Sequence, residues 1–235
     1  GEVAGNQPIS RSGSYGESAA VGSISGNYRL LGDSDYQPTG AVTFSTDAPI
    51  ARQSSISKFL ESDNAHVDYG SGMSEWCGNC HYGILNGEHR AGNPSFEHPS
   101  GNGELLEDEM VNFYNSYLRS GDFSGTAVTA YLQFVPFERG LSDVQLLDPH
   151  STQGPDANSN VMCLSCHRAH ASAFDNIGRW DFAAVLLSDS HPGTGDVGAT
   201  ANDIYFSYYG RDIATEFGSG QRQFCEKCHG SEIPD

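Results

Sequence analysis

Every cysteine of this 235-residue chain lies in one of three copies of a single five-residue pattern. The copies are Cys77-Gly78-Asn79-Cys80-His81, Cys163-Leu164-Ser165-Cys166-His167 and Cys225-Glu226-Lys227-Cys228-His229. A random chain with these cysteine and histidine frequencies would contain about 0.006 such boxes. The spacing has a chemical reason. Two thiols three residues apart on one helical turn can add to the two vinyl groups of a haem, and the histidine that follows projects over the ring as the proximal iron ligand. The boxes therefore predict three haem c groups, tethered by Cys77, Cys80, Cys163, Cys166, Cys225 and Cys228, with His81, His167 and His229 as proximal ligands. Other readings of the cysteines fit less well. A disulfide framework does not explain a histidine after every second cysteine, and three Cys₂His sets make an awkward zinc stoichiometry. A thioredoxin-like redox box occurs once, after a strand.

Six further histidines compete for the opposite faces of the irons: His66, His89, His98, His150, His170 and His191. Methionine is the alternative axial ligand, but Met162 abuts Cys163 and cannot reach over that haem. Met110 reads as core, which leaves Met73. Bis-histidine ligation is expected, with His170, His98, His191 and His66 as the distal candidates. His167 and His170 are three apart, so on one helix their Cβ atoms would lie about 5–6 Å apart, and the two irons they bind on the order of 10 Å apart. His98 and His191 each precede proline, which pushes its predecessor into an extended conformation and lets the ring project from a stiff turn. His66 stands eleven residues before Cys77 and can fold back. His150 and His89 lie in polar, turn-rich sequence.

The expected architecture is mostly irregular chain, with short helices at the boxes and a few short strands, wrapped around a row of haems. Residues 1–35 hold 14 Gly or Ser and read as an extended arm; residues 36–235 read as one trihaem domain. Thr39–Ser45 and Thr126–Val135 alternate like strands, and in the second Val128, Ala130, Leu132 and Phe134 would share a face. Glu104–Arg119 is the clearest helix, with acids in its first turns, Arg119 at its end, Gly121 as a stop and a stripe of Leu106, Met110, Phe113 and Tyr117. Ala201–Tyr209 is a further short helix. The boxes start 86 and 62 residues apart, so long connections must wrap the cofactors. Arg90, Arg168, Arg179 and Arg222 are candidate partners for haem propionates.

Charge narrows the function classes. The formal net charge of -18 repels nucleic-acid backbones and anionic lipid. No run of residues reaches the ~18 apolar positions of a membrane span. The chain opens on Gly-Glu-Val-Ala-Gly, with neither basic start nor apolar signal core, and is expected to be a mature or trimmed form. Covalent haem attachment takes place outside the cytoplasm, which places the protein among exported chains.

Met73-Ser-Glu-Trp-Cys-Gly-Asn-Cys-His81, Met162-Cys-Leu-Ser-Cys-His-Arg-Ala-His-Ala-Ser172 with Gly178-Arg-Trp-Asp181, and Cys225-Glu-Lys-Cys-His229 resemble the multihaem c-type cytochromes displayed on the surface of metal-reducing bacteria. The resemblance spans roughly residues 60–230 and is specific at the boxes. It implies an electron carrier, not an enzyme, located extracellularly. Some such cytochromes polymerise into filaments in which one protomer's histidine ligates the next protomer's haem. The expected partners are accordingly copies of the same chain and extracellular redox acceptors. This chain departs from that group in count, since filament members commonly carry four or more haems. A monomeric periplasmic shuttle is the alternative, and a haem-based oxyanion reductase a third class. The reductase needs an open iron position, which six spare histidines and an acidic surface disfavour.

Overall fold

Helices here are short, and the backbone bonds they leave unmade are taken up by side chains and by isolated strand-like pairings. The structure is a computed structural model and describes residues 3–4, 7–8, 34, 44–56, 61–81, 83–86, 100–118, 122–169, 172–221 and 225–229. Strands β1 (Val3–Ala4) and β2 (Gln7–Pro8) pair antiparallel; the rest of the expected arm, Ser34 apart, lies outside those residues. Strands β3 (Ala51–Gln53) and β4 (Val67–Tyr69) pair antiparallel in the register Ala51↔Tyr69, Arg52↔Asp68 and Gln53↔Val67. The ladder continues sideways through single bridges, Tyr69 to Glu138, Glu138 to Asn160 and Asn160 to Leu105. Six α-helices are described: α1 (Met73–Gly78), α2 (Asp108–Ser116), α3 (Cys163–Cys166), α4 (Ala201–Ser207), α5 (Ile213–Phe217) and α6 (Glu226–His229). No described helix is long and apolar enough to cross a membrane.

The core is aromatic. Tyr114, Phe134, Phe137, Trp180, Tyr208 and Phe217 pack with Ala130, Val135, Leu187 and Ile213, and Cys228 of the third box lies against them. Tyr114 meets Phe137 edge-on at 4.7 Å, and Phe134 lies 4.7 Å from Phe217; such ring pairs add to simple area burial. The Tyr114 hydroxyl donates to the Val135 carbonyl at 3.1 Å and accepts from the amides of Phe134 and Val135 at 3.3 and 3.1 Å. One phenol thus satisfies three backbone groups of a buried segment that has no ladder of its own.

Several sequence expectations need correction. Thr126–Val135 is not a strand. It forms a 3₁₀ turn at Ala127–Thr129 and then an irregular run in which Ala130, Tyr131, Leu132, Phe134 and Val135 are all buried. Burial on every side replaces the alternation of a strand; Val128 is 58% exposed, and Leu132 takes a left-handed φ of 50°. Phe44 and Ser45, the described end of the expected first strand, belong to no strand. The expected helix at 104–119 is confined to Asp108–Ser116, because Leu105 and Leu106 are drawn into pairing with 159–160. Its buried side is Tyr114 and Asn115, with Tyr117 just beyond its end, and not the stripe that begins at Leu106. The helix at 201 ends at Ser207, two residues early, in a turn over Tyr208–Gly210.

Candidate haem centre

All three boxes close in the same way. The amide of the histidine donates to the carbonyl of the first cysteine: His81 to Cys77 at 3.0 Å, His167 to Cys163 at 2.9 Å and His229 to Cys225 at 3.1 Å. That single helical bond brings the two thiols and the imidazole of each box onto one turn. All six cysteines are free thiols.

Although far apart in sequence, the boxes are contiguous in space. Helix α1 packs against α3, the Cys163 amide donates to the Ser74 hydroxyl at 3.2 Å, and the Cys77 and Cys163 thiols lie close enough to perturb each other. At the other end of α3, Cys166 lies within electrostatic reach of Cys225 and Cys228. The second box therefore stands between the first and the third. Within the Cys77–Cys163 pair the neighbouring thiol and burial raise Cys77 above the usual thiol range, while Cys77 and Ser74 lower Cys163. Burial pushes Cys166 and Cys228 each up to about 12.

Buried polar side chains hold the boxes in place. Glu138, fully buried, accepts from the Met73 amide at the start of α1 and from the Asn160 side-chain amide, each at 2.6 Å. Asn79, inside the first box, accepts from the Ser45 amide at 2.7 Å and donates to the Thr46 hydroxyl at 2.6 Å. Ser165, inside the second, donates to the Pro136 carbonyl at 2.7 Å. Arg179 is buried and donates through Nε to the Leu164 carbonyl at 2.5 Å and through Nη1 to the Tyr209 hydroxyl. Its fork is thus engaged within the protein, whereas Arg168 is exposed; Arg90 and Arg222 lie outside the described residues.

The helix of the second box ends at Cys166, and His167 is already extended at φ -112° and ψ 159°. The expectation that His167 and His170 share a helix is therefore corrected. The chain leaves the helix because His167 pairs with Gly178 and the Arg168 amide donates to the Ile177 carbonyl at 2.8 Å. The same pairing puts the Asn176 carbonyl 2.9 Å from His167 Nδ1. A carbonyl can only accept, so Nδ1 carries the proton and Nε2 keeps its lone pair for a metal.

Two of the four distal candidates are described, and both are buried. His66 is fully buried at the start of β4, held by the amide–carbonyl bond to Pro149 at 3.0 Å and stacked 3.8 Å from the Tyr131 ring. Neither ring nitrogen makes a hydrogen bond of normal geometry, although the Asp63 and Ser62 backbone lies close enough to favour the charged ring slightly. Desolvation wins and pulls the imidazole down to about 4. His191 is extended before Pro192, as expected; its ring lies 5.2 Å from Phe174 and 5.7 Å from Tyr208, with Nδ1 unpartnered. Burial, helped by Arg168, also lowers it to about 4. His170 and His98 lie outside the described residues, as does His89. His150 differs, with Nδ1 3.0 Å from the Asn64 carbonyl and Nε2 3.4 Å from the Ser54 hydroxyl.

These observations fit haem. Neutral buried imidazoles with unpartnered nitrogens, free thiol pairs on single turns and a proximal histidine with its tautomer set are the donors a bis-histidine c-type centre requires. Sequence reasoning missed Glu138 and Asn79. The available signals were a lone acid closing the apolar run Phe134–Phe137, and polar residues within the boxes themselves.

No family model matches the chain. It is 39% identical, over 96% of its length, to the C-type cytochrome OmcS of Geobacter sulfurreducens, and covers 56% of that protein. Among solved structures it resembles the outer membrane cytochrome S filament of Geobacter sulfurreducens, with a TM-score of 0.68 and 37% identity over 91% of this chain and 57% of the other. A cryo-EM structure of OmcS nanowires from the same organism gives a TM-score of 0.68 and 35% identity, over 94% and 58%. The chain thus spans about half the length of the relatives it matches. The similarity to the C-type cytochrome OmcS runs along almost the whole of this chain, at 39% identity, and over about half of that protein.

Proposed function

We propose that the chain is an electron carrier holding three haem c groups, one per box, and that it serves extracellularly as the subunit of a cytochrome filament. His81, His167 and His229 are the proximal ligands, and the distal ligands come from His66, His191, His98 and His170. Bound haem supplies a one-electron iron couple at each box. The observation that carries the reading is the contiguity of the boxes: α1 packs on α3, joined by the Cys163 amide to the Ser74 hydroxyl, and Cys166 at the far end of α3 lies within electrostatic reach of Cys225 and Cys228. Three tethering points in a row give a route for electrons through the chain, with the second box in the middle.

The protein's own groups have defined tasks in this reading. Six thiols tether, and Glu138, Asn79, Ser165 and Arg179 fix the turns of the first two boxes. His66 and His191 remain neutral above pH ~5, as a metal-binding imidazole must. The aromatic core packs against Cys228 of the third box. Filament assembly is supported by the relatives described as filaments and nanowires.

The test is a purified full-length chain. Mass and haem-to-protein ratio are expected to give three covalent haems, the visible spectrum is expected to be low-spin, and electron micrographs are expected to show regular fibres. Fewer than three haems, or a high-spin cyanide-binding iron, defeats the carrier reading. Discrete particles at high concentration defeat the filament and leave a monomeric shuttle.

A further inference from the structure

Lys227 lies between the two cysteines of the third box and is one of two lysines among 12 basic residues. It is 1% exposed. Its Nζ makes no hydrogen bond, yet it faces three rings: Tyr114 at 4.9 Å, Phe134 at 5.0 Å and Tyr117 at 5.6 Å. Cys228, which tethers the third haem in the reading above, is within electrostatic reach of it. The negative faces of the three rings favour a cation at Nζ. The opposite end of the row has the opposite charge. The buried carboxyl of Glu138 lies within electrostatic reach of both Cys77 and Cys163.

We propose that the caged ammonium of Lys227 is a potential-setting residue that makes the third haem the most easily reduced of the three. The inference rests on the three-haem reading. Oxidation of a haem iron adds a positive charge, so a neighbouring cation disfavours the oxidised form, and low-dielectric surroundings enlarge the effect. A buried carboxylate beside the first two boxes favours their oxidised forms. Opposite charges at the two ends tilt the row, and electrons settle at the Cys225–His229 end. A plain packing role for the lysine stem would fill the same space without moving a potential.

The test is a redox titration of the full haem-loaded chain, read in the visible spectrum, with covalent haem counted by mass. Lys227→Met and Lys227→Gln remove the charge, and Lys227→Arg keeps it. In either neutral variant one of three midpoint potentials is expected to fall, so that at fixed solution potential its oxidised-to-reduced ratio rises about tenfold, about 59 mV for one electron. The other two, and all three in the arginine variant, stay near their wild-type values. Unchanged potentials in the neutral variants, or an equal fall at all three haems, overturn the proposal. If both neutral variants lose the third haem and the arginine variant keeps it, charge at this position is upheld as the requirement. Loss in all three variants overturns it, because shape is then what the position needs. Absence of three covalent haems in the wild-type protein is a separate result and defeats the carrier reading instead.

Discussion

Glu138 accepts a 2.6 Å hydrogen bond from the backbone amide of Met73, the first residue of the helix that carries Cys77. Its other oxygen accepts from Asn160, three residues before Cys163. Helix α1 begins after Gly72 without a side-chain cap of its own, so a carboxyl 65 residues away takes one of its orphan amides. One buried side chain therefore sets the first two boxes relative to each other.

Removing that side chain is costly. Glu138→Ala strands two buried donors and leaves a gap, and is expected to lower stability by about 3 kcal/mol. Glu138→Gln is better tolerated, since its oxygen can still serve Met73 and the Asn160 amide can turn over to accept from the new NH₂. The two differ from wild type in pH behaviour. Burial, with Glu75 nearby, raises the Glu138 carboxyl above its ordinary 4.5. The folded protein then holds a proton that the unfolded chain releases, so this contribution is full below 4.5 and lost as pH rises through the raised value. Thermal melts from pH 4.5 upward should show wild type losing stability relative to the glutamine variant. Parallel curves would show that Glu138 ionises as freely in the folded protein as in the unfolded chain.

Gly178 tests the pairing that orients His167. A Cβ at this position would lie 2.6 Å from the Trp180 carbonyl oxygen and 2.7 Å from the Phe182 ring. The backbone would have to move, and it is this segment that makes the single bridge to His167. Gly178→Ala is expected to cost about 2 kcal/mol and to disturb the spectrum of a single haem. A melting temperature and spectrum like those of wild type would show that the Gly178–His167 pairing does not hold the second box.

The six tethering thiols and three proximal histidines are legible in the sequence because their chemistry demands adjacency along the chain. The rest depends on adjacency in space. Thr126–Val135 alternates like a strand, but Tyr131 is as buried as Leu132 because the segment passes through the core, and period-two reasoning assumes a solvent side. His167 and His170 have helical spacing, yet pairing to Gly178 overrides a four-residue helix that has little strength of its own. Lys227 and Glu138 look like surface charges in sequence. Only the packing of α6 and of residues 134–138 shows them enclosed.

Arg179 connects the second box to the Tyr209 turn through two part-buried hydrogen bonds. Arg179→Lys keeps the charge but cannot serve the Leu164 carbonyl and the Tyr209 hydroxyl with one fork. A loss of about 2 kcal/mol is expected in a denaturant melt, with haem content unchanged. A free-energy change near zero would indicate that these two Arg179 hydrogen bonds do not hold α3.

His66 and His191 separate a ligand from a core histidine most directly. Each is buried, and burial lowers both to about 4, so at neutral pH each presents an uncharged imidazole with a nitrogen that no protein group engages. A buried unpartnered nitrogen costs about 1–3 kcal/mol if nothing ever meets it, and iron coordination removes that cost. His66→Ala and His191→Ala are each expected to convert one of three haems from low-spin to high-spin and open it to cyanide, and the double variant to convert two. His150→Ala, whose ring nitrogens already face Asn64 and Ser54, is expected to change nothing in the spectrum. If the His66 or His191 variant kept three low-spin haems, that histidine would be a core residue packed against Tyr131 or Phe174, and the sixth ligand would have to come from His98 or His170.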